Sequence, residues 1–198
     1  MSGDPKFRTR EDVERAVRAL AREFNTDTVF IIGSQAILMS WPDAPEIMRG
    51  TPEIDAYPEN ARNWEIEEAS KGVGPPLEAS EHIHGLFGEG SPFHGTHGFY
   101  IDGVDEGTAR LPRGWHTRAM VRHFEVDGRM VKAVAPAPED LIVSKLARLD
   151  DKDKDFVEAY HKERPLDLQL IEQRIAETDL EPAVADRAVA YIRSLRGT

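Results

Sequence analysis

The chain is expected to fold as a mixed α/β domain that ends in a group of helices. Three observations lead there: an apolar run at residues 28–32 that ends in Gly33-Ser34, a period-two stretch at residues 53–57, and three stretches of helical periodicity after Pro138. With 198 residues, 40% of them hydrophobic, the chain can bury one good core. It has 25 basic and 36 acidic residues, a formal charge of −11, which argues against electrostatic wrapping of duplex nucleic acid and leaves a local basic face for RNA or a nucleotide open. There is no cysteine, so disulfides, a thiol nucleophile and thiolate zinc sites are excluded, and any metal chemistry must rest on His, Asp or Glu. No apolar run approaches a membrane span and the first ten residues carry no signal-peptide core, which makes the cytoplasm the expected location.

The elements follow in order. Thr9-Arg10-Glu11-Asp12 matches a capping box, and Val13, Ala16, Val17, Leu20 and Phe24 continue at helical spacing, so a first amphipathic helix runs to about Phe24. Residues 28–32 are β-branched and apolar, a buried strand that turns at Gly33-Ser34 into a helix. Three prolines make residues 41–52 a loop with room for one helical turn. In residues 53–57 apolar Ile54 and Ala56 alternate with Glu53, Asp55 and Tyr57, so both carboxylates share one strand face. Residues 61–71 are compatible with a helix, and the Gly-, Pro- and His-rich stretch 72–98 reads as mostly loop. Strands resume at 98–104 and 118–126, and Asp127-Gly128 turns the latter into 129–134. After Pro136-Ala137-Pro138 the helical stretches are 139–155, 168–176 and 182–195.

Several of these residues carry chemistry. A strand that ends in Gly33-Ser34 at a helix start leaves backbone N–H groups free to receive phosphate. Glu53 and Asp55, with α carbons about 6.6 Å apart, can converge on one divalent cation or on two adjacent ones, and magnesium is the natural candidate because it binds through one or two carboxylates plus substrate phosphates. On the helix from Glu139, Ile142, Leu146, Leu149 and Phe156 form an apolar stripe with Asp153 at its centre, provided the helix is unbroken; the other reading is a break within residues 150–155 that leaves a solvated charge run. A carboxylate in that stripe needs a partner, and Lys145 and Lys152 flank it. Six of the seven histidines lie between His82 and His123, without any standard zinc-hydrolase motif; His94 and His97 are expected to shape a loop over the site. Trp41, Trp64 and Trp115 read as core or interface anchors. Arg110, Arg113, Arg118, Arg122 and Arg129 form either a satisfied surface or a positive lip for an RNA end.

Gly33-Ser34 followed by Glu53-x-Asp55 resembles the nucleotidyltransferase superfamily with the DNA polymerase β-like palm. The longer pattern of Gly33-Ser34-Gln35-Ala36, Thr51-x-Glu53-Ile54-Asp55, Ser91-Pro92-Phe93-His94, Leu111-Pro112-x-Gly114-Trp115 and Asp140-Leu141-x-x-x-Lys145-Leu146 with Lys152-Asp153 resembles the DUF6036 group, related to AbiEii-type and MNT-type toxins, over roughly residues 30–157. The resemblance implies a palm with a mixed sheet over residues 1–137 and a C-terminal helical bundle over 138–198 packed on it. It further implies a magnesium-dependent transfer of a nucleoside monophosphate from an NTP to a hydroxyl acceptor, a tRNA 3′ end or a protein, and an antitoxin partner. By motif position Gly33, Ser34 and Lys145 bind nucleotide, Glu53 and Asp55 bind metal, and Lys145 and Asp153 complete the catalytic set with Asp55. A third metal carboxylate is either Asp102 or Glu125. The chain departs from the pattern in the interval of 21 positions from Ser34 to Asp55 and in having Glu as its first carboxylate. The competing functions are a catalytically inactive binding or antitoxin module on the same fold and a histidine-metal hydrolase.

Overall fold

The computed structural model describes residues 7–72, 74–75 and 77–195. It is a mixed α+β architecture around a five-stranded sheet ordered β3-β2-β1-β5-β4, with β1 spanning Thr28–Ile31, β2 Glu53–Pro58, β3 Tyr100–Gly103, β4 Met120–Val126 and β5 Arg129–Ala135. The sheet is mixed: β1 pairs antiparallel with β2 and parallel with β5, β2 pairs parallel with β3, and β4 and β5 form the expected hairpin. Val29, Ile31, Ile54, Ala56, Ile101 and Ala133 are fully buried, and their period-two spacing is what fixes the register.

Helix α1 (Arg10–Glu23) starts at the capping box, with the Thr9 side chain accepting from the Asp12 backbone N–H, and lays Val13, Ala16, Val17 and Leu20 on the sheet. The chain after β1 enters a 3₁₀ turn, Ser34–Met39, rather than an α-helix. One short helix, α2 (Glu46–Arg49), occupies the proline-rich stretch, and α3 (Ala61–Ser70) follows β2 with no buried residue. The region read as loop holds two further helices, α4 (Ala79–Phe87) and α5 (Pro92–His97). Neither carries a full apolar stripe: α4 buries only Ala79 and Ile83, four residues apart, and packs on β3, so tertiary contact and not periodicity makes it helical. Gly103 permits that contact, since a Cβ there would lie 2.4 Å from the Ser80 carbonyl oxygen.

The helix predicted for 139–155 is two helices, α6 (Pro138–Arg148) and α7 (Asp151–Glu163). Leu149 adopts φ 55°, ψ 41° at the end of α6, and the Asp150 side chain caps α7 by accepting from the Asp153 backbone N–H at 2.9 Å. Helices α8 (Leu168–Ala176) and α9 (Pro182–Ser194) pack against α6. One hydrophobic cluster runs through all of this, from Val13 to Leu195. Trp64 meets Phe24 edge-on at 5.0 Å, Trp115 meets Phe30 at 5.9 Å, and Arg164 lies over Trp41 at 4.0 Å, so all three tryptophans act as packing anchors. Among the described residues no helix is long and apolar enough to cross a membrane.

Asp140, in the first turn of α6, has a side chain only 1% exposed; Arg118 Nε and Nη2 donate to its two oxygens at 3.0 and 3.1 Å, and Arg174 of α8 stands 3.6 Å away. Removing the carboxylate would leave two arginines partly buried without their shared anion. Asp140→Ala is therefore expected to lower unfolding stability by about 3–5 kcal/mol in urea titrations, with unchanged stability counting against this ion pair as a structural tie.

Candidate active site

Gly33 sits just past the end of β1 at φ 68°, ψ −167°, a conformation that a glycine adopts without cost. A Cβ at Gly33 would lie 1.7 Å from Asp55 Oδ2, so the glycine is required twice: by its backbone and by the carboxylate that rests on its α carbon. Ser34 begins the 3₁₀ turn, and its Oγ accepts from Lys145 Nζ at 2.7 Å. Because this turn is only six residues long, the helix-dipole contribution expected at Gly33-Ser34 is small, and the positive charge facing an anion comes mainly from side chains.

Glu53 and Asp55 stand on the same face of β2, opposite the buried Ile54 and Ala56. Burial pushes the Asp55 carboxyl up to about 6, with Glu53 and Asp102 acting in the same direction and Lys145 and Arg148 opposing. Of the two candidate third carboxylates, Asp102 is directly across from Asp55 in the parallel β2–β3 register, while Glu125 belongs to β4 at the opposite edge of the sheet. Asp102 nevertheless does not line the cleft; its Oδ1 lies 3.7 Å from His84 Nδ1. Among the described residues no group of three or more acidic or histidine side chains is arranged to hold a metal ion. The oxygen donor set is thus a pair, and its mutual repulsion at Asp55 is the kind that a hard divalent cation relieves. Magnesium fits such a pair, because it keeps several waters and takes its remaining ligands from phosphates.

Lys145 is almost fully buried, and burial lowers its pKa while Asp153 and Asp55 act to raise it. Asp153, 1% exposed, lies 3.4 Å from Lys145 Nζ and receives both Arg148 Nε and Nη2 at 2.7 Å. Burial alone would raise the Asp153 pKa; the Arg148 hydrogen bonds and Lys145 outweigh it and hold the carboxyl below its ordinary value. The helix breaks, as one of the two sequence readings had it, yet Asp153 is not solvated: the new cap at Asp150 turns Asp153 back toward Lys145. Arg148 is the residue that the sequence reading missed. Its spacing from Lys145, three positions along one helix, was the available signal.

These groups meet in a cleft of about 690 Å³ whose lining includes Gly33, Ser34, Glu53, Asp55, Lys145 and Arg148. A second depression of about 430 Å³ adjoins it, sharing Ser34, Glu53, Lys145 and Arg148 and adding Asp153. The histidines lie elsewhere. His82 bonds to Glu23 at 2.7 Å, while His94 and His97 belong to α5 and pack against Tyr100, Phe93 and Phe99, so they shape no loop over the cleft. Only Arg110 of the five arginines lines the cleft; Arg118 is held by Asp140, Arg113 donates to the Glu177 carbonyl, Arg122 lies near Arg10, and Arg129 bonds to Asn25 and the Ala21 carbonyl.

A family model described as a nucleotidyltransferase of unknown function (DUF6036) matches residues 11–193. No curated protein and no solved structure matches the chain.

The raised Asp55 pKa has a defined sign for stability. The folded state holds the Asp55 proton up to about pH 6, whereas an unfolded aspartate releases it near 3.8, so stability is lost as pH rises through that window. In EDTA, Asp55→Asn is expected to be more stable than wild type by about 2–3 kcal/mol at pH 7.5, with the gain vanishing near pH 4 in urea titrations; a pH-independent difference would refute the buried, repelled carboxylate.

Proposed function

The chain belongs to the DUF6036 family, described as a nucleotidyltransferase of unknown function, and on that premise we propose that it transfers a nucleoside monophosphate from an NTP, with magnesium, to a hydroxyl acceptor. The observation that carries this reading is the meeting of Lys145 Nζ with Ser34 Oγ, 2.7 Å apart, in the same cleft where Asp55 rests on Gly33.

Glu53 and Asp55 would hold the magnesium ion, which when bound neutralises phosphate charge as a Lewis acid. Lys145 exchanges its bond to Ser34 for phosphate oxygens of the donor, and Ser34 then donates its hydroxyl to the same group. Asp153 opposes the lowering that burial imposes on the Lys145 pKa and fixes the direction of its side chain. Because both Asp153 oxygens are bonded to Arg148 and Lys145, Asp153 is a positioning residue and not the proton acceptor. The proton of the attacking hydroxyl passes to Asp55, the carboxylate that rests against Gly33 in the donor cleft. As that oxygen bonds to the α phosphorus, the bond to the bridging oxygen breaks and pyrophosphate leaves, its charge met by Lys145 and Arg148. Most of the acceleration in this scheme comes from positioning and fixed charge.

Calorimetric titration with each NTP, with and without magnesium, tests the first half. Magnesium-dependent binding is expected for wild type, with a loss of about ten- to one-hundred-fold in Lys145→Ala and loss of the magnesium dependence in Asp55→Ala. Label transfer from an α-labelled NTP should fall by at least about one-hundred-fold in both variants. NTP binding that ignores magnesium, or is absent, would instead assign the fold to a binding module without catalysis.

A further inference from the structure

A third depression, of about 430 Å³, lies beyond the C-terminal end of β2 and shares no lining residue with either depression of the active site. Its walls are the starts of α3 and α4 and the segment after β3. The floor is apolar: Pro58 and Ala79 are buried, and Val104 and the ring of Tyr57 complete it. Five carboxylates stand around this floor, Glu59, Glu65, Glu78, Asp105 and Glu106, against the single guanidinium of Arg62. Glu65 accepts from the Ala79 backbone N–H at 2.9 Å, and Asp105 accepts from the Gly107 N–H at 2.7 Å and from Thr108 Oγ1 at 3.1 Å. Among the described residues none of the five has an ion-pair partner. The two helix starts add about half an elementary positive charge each, which leaves the negative excess in place.

The observation that points to a ligand is Tyr57. It is 7% exposed, and Phe30 stacks on its ring with centroids 4.9 Å apart, so the side chain is held in place. Its hydroxyl makes no hydrogen bond among the described residues, although Tyr57 lines the depression. Burial, then Glu106 and Asp105, push its pKa above the ordinary phenol value, so the hydroxyl is neutral and keeps its oxygen lone pairs for a donor. The spread of the acids decides what kind of cation fits. No three acidic side chains among the described residues are gathered tightly enough to hold one metal ion, so a point charge would meet few of the five. A single lysine or arginine side chain would answer one or two and leave the rest. Several ammonium groups joined by methylene segments match both features, the methylenes covering the apolar floor and the ammonium groups reaching the carboxylates at its edge. A volume of about 430 Å³ lies in the range of small-molecule sites. We propose that this depression binds a small linear polyamine, with one ammonium donating to the Tyr57 hydroxyl oxygen and the others paired with Glu59, Glu78 and Glu106. No bond is made or broken there.

Calorimetric titration of the metal-free and nucleotide-free protein with spermidine, at about 0.15 M salt, tests this. Saturable one-to-one binding is expected. It should weaken about ten-fold in Tyr57→Phe, which keeps the ring and its stacking, and about three-fold in Glu106→Gln, a change at an exposed position. Glu67→Gln removes an equal charge at an exposed position of α3 outside the depression and is expected to leave the affinity unchanged. Magnesium and a Lys- and Arg-rich peptide are titrated in parallel. Absence of saturable spermidine binding, equal affinity in Tyr57→Phe and wild type, or a loss in Glu67→Gln equal to that in Glu106→Gln overturns the inference. So does magnesium or the peptide binding more tightly than spermidine with the same sensitivity to Tyr57→Phe, which would assign the depression to a metal ion or to a protein partner. No nucleotide enters this assay, so its outcome and the test of nucleotidyl transfer are read separately.

Discussion

A single carboxylate with both oxygens occupied organises the C-terminal side of the cleft. Asp153 is almost fully buried, and an isolated charge there would be prohibitively desolvated; Arg148 and Lys145 together make it tolerable. In return, Asp153 opposes the lowering that burial imposes on the Lys145 pKa, and Lys145 donates to Ser34. That constraint explains the local backbone. For Asp153 to face back toward Lys145 and Arg148, α6 must stop and a new helix must start, which Leu149 achieves in a left-handed conformation and Asp150 secures as the next cap. The left-handed leucine is a modest local cost accepted where the surrounding structure over-determines it.

The opposite wall rests on an equally tight condition. Antiparallel pairing of β1 with β2 brings the turn after β1 over the carboxylates of β2, and the Ile32 backbone N–H reaches the Asp55 carbonyl at 3.0 Å. Gln35, fully buried, donates to Thr51 Oγ1 at 2.9 Å and ties the 3₁₀ turn to the segment leading into β2. Glycine at position 33 is therefore a consequence of register as much as of turn chemistry. The two walls come from residues more than 80 positions apart, joined by one bond between Lys145 and Ser34.

Much of this was legible in the sequence because the relevant signals are local. Thr9 with Asp12 announced α1, alternation at 53–57 placed Glu53 and Asp55 on one face, and Asp127-Gly128 announced the hairpin. Most of what escaped had little or no local signal. Helices α4 and α5 bury too little to show a stripe and depend on β3 and on one another. The break at Leu149 is hidden because the left-handed position carries a leucine where glycine or asparagine would have marked it. Pairing of Asp102 with Asp55 is a matter of strand order, which no single strand reveals, and so is the removal of Glu125 to the far edge. Arg148 was missed because its importance comes from Asp153, five residues on and across that break.

The exposed rims of a sheet invite foreign strands, and this molecule treats its two rims differently. On one side α4 lies over β3 so closely that a single methyl group on Gly103 would strike the Ser80 carbonyl. On the other, β4 turns the guanidinium of Arg122 toward the partly buried side, an inward charge that a docking strand would have to desolvate. One outer strand is thus fitted to its helix by a missing side chain, and the other carries a guanidinium whose Nε is buried on its inner face.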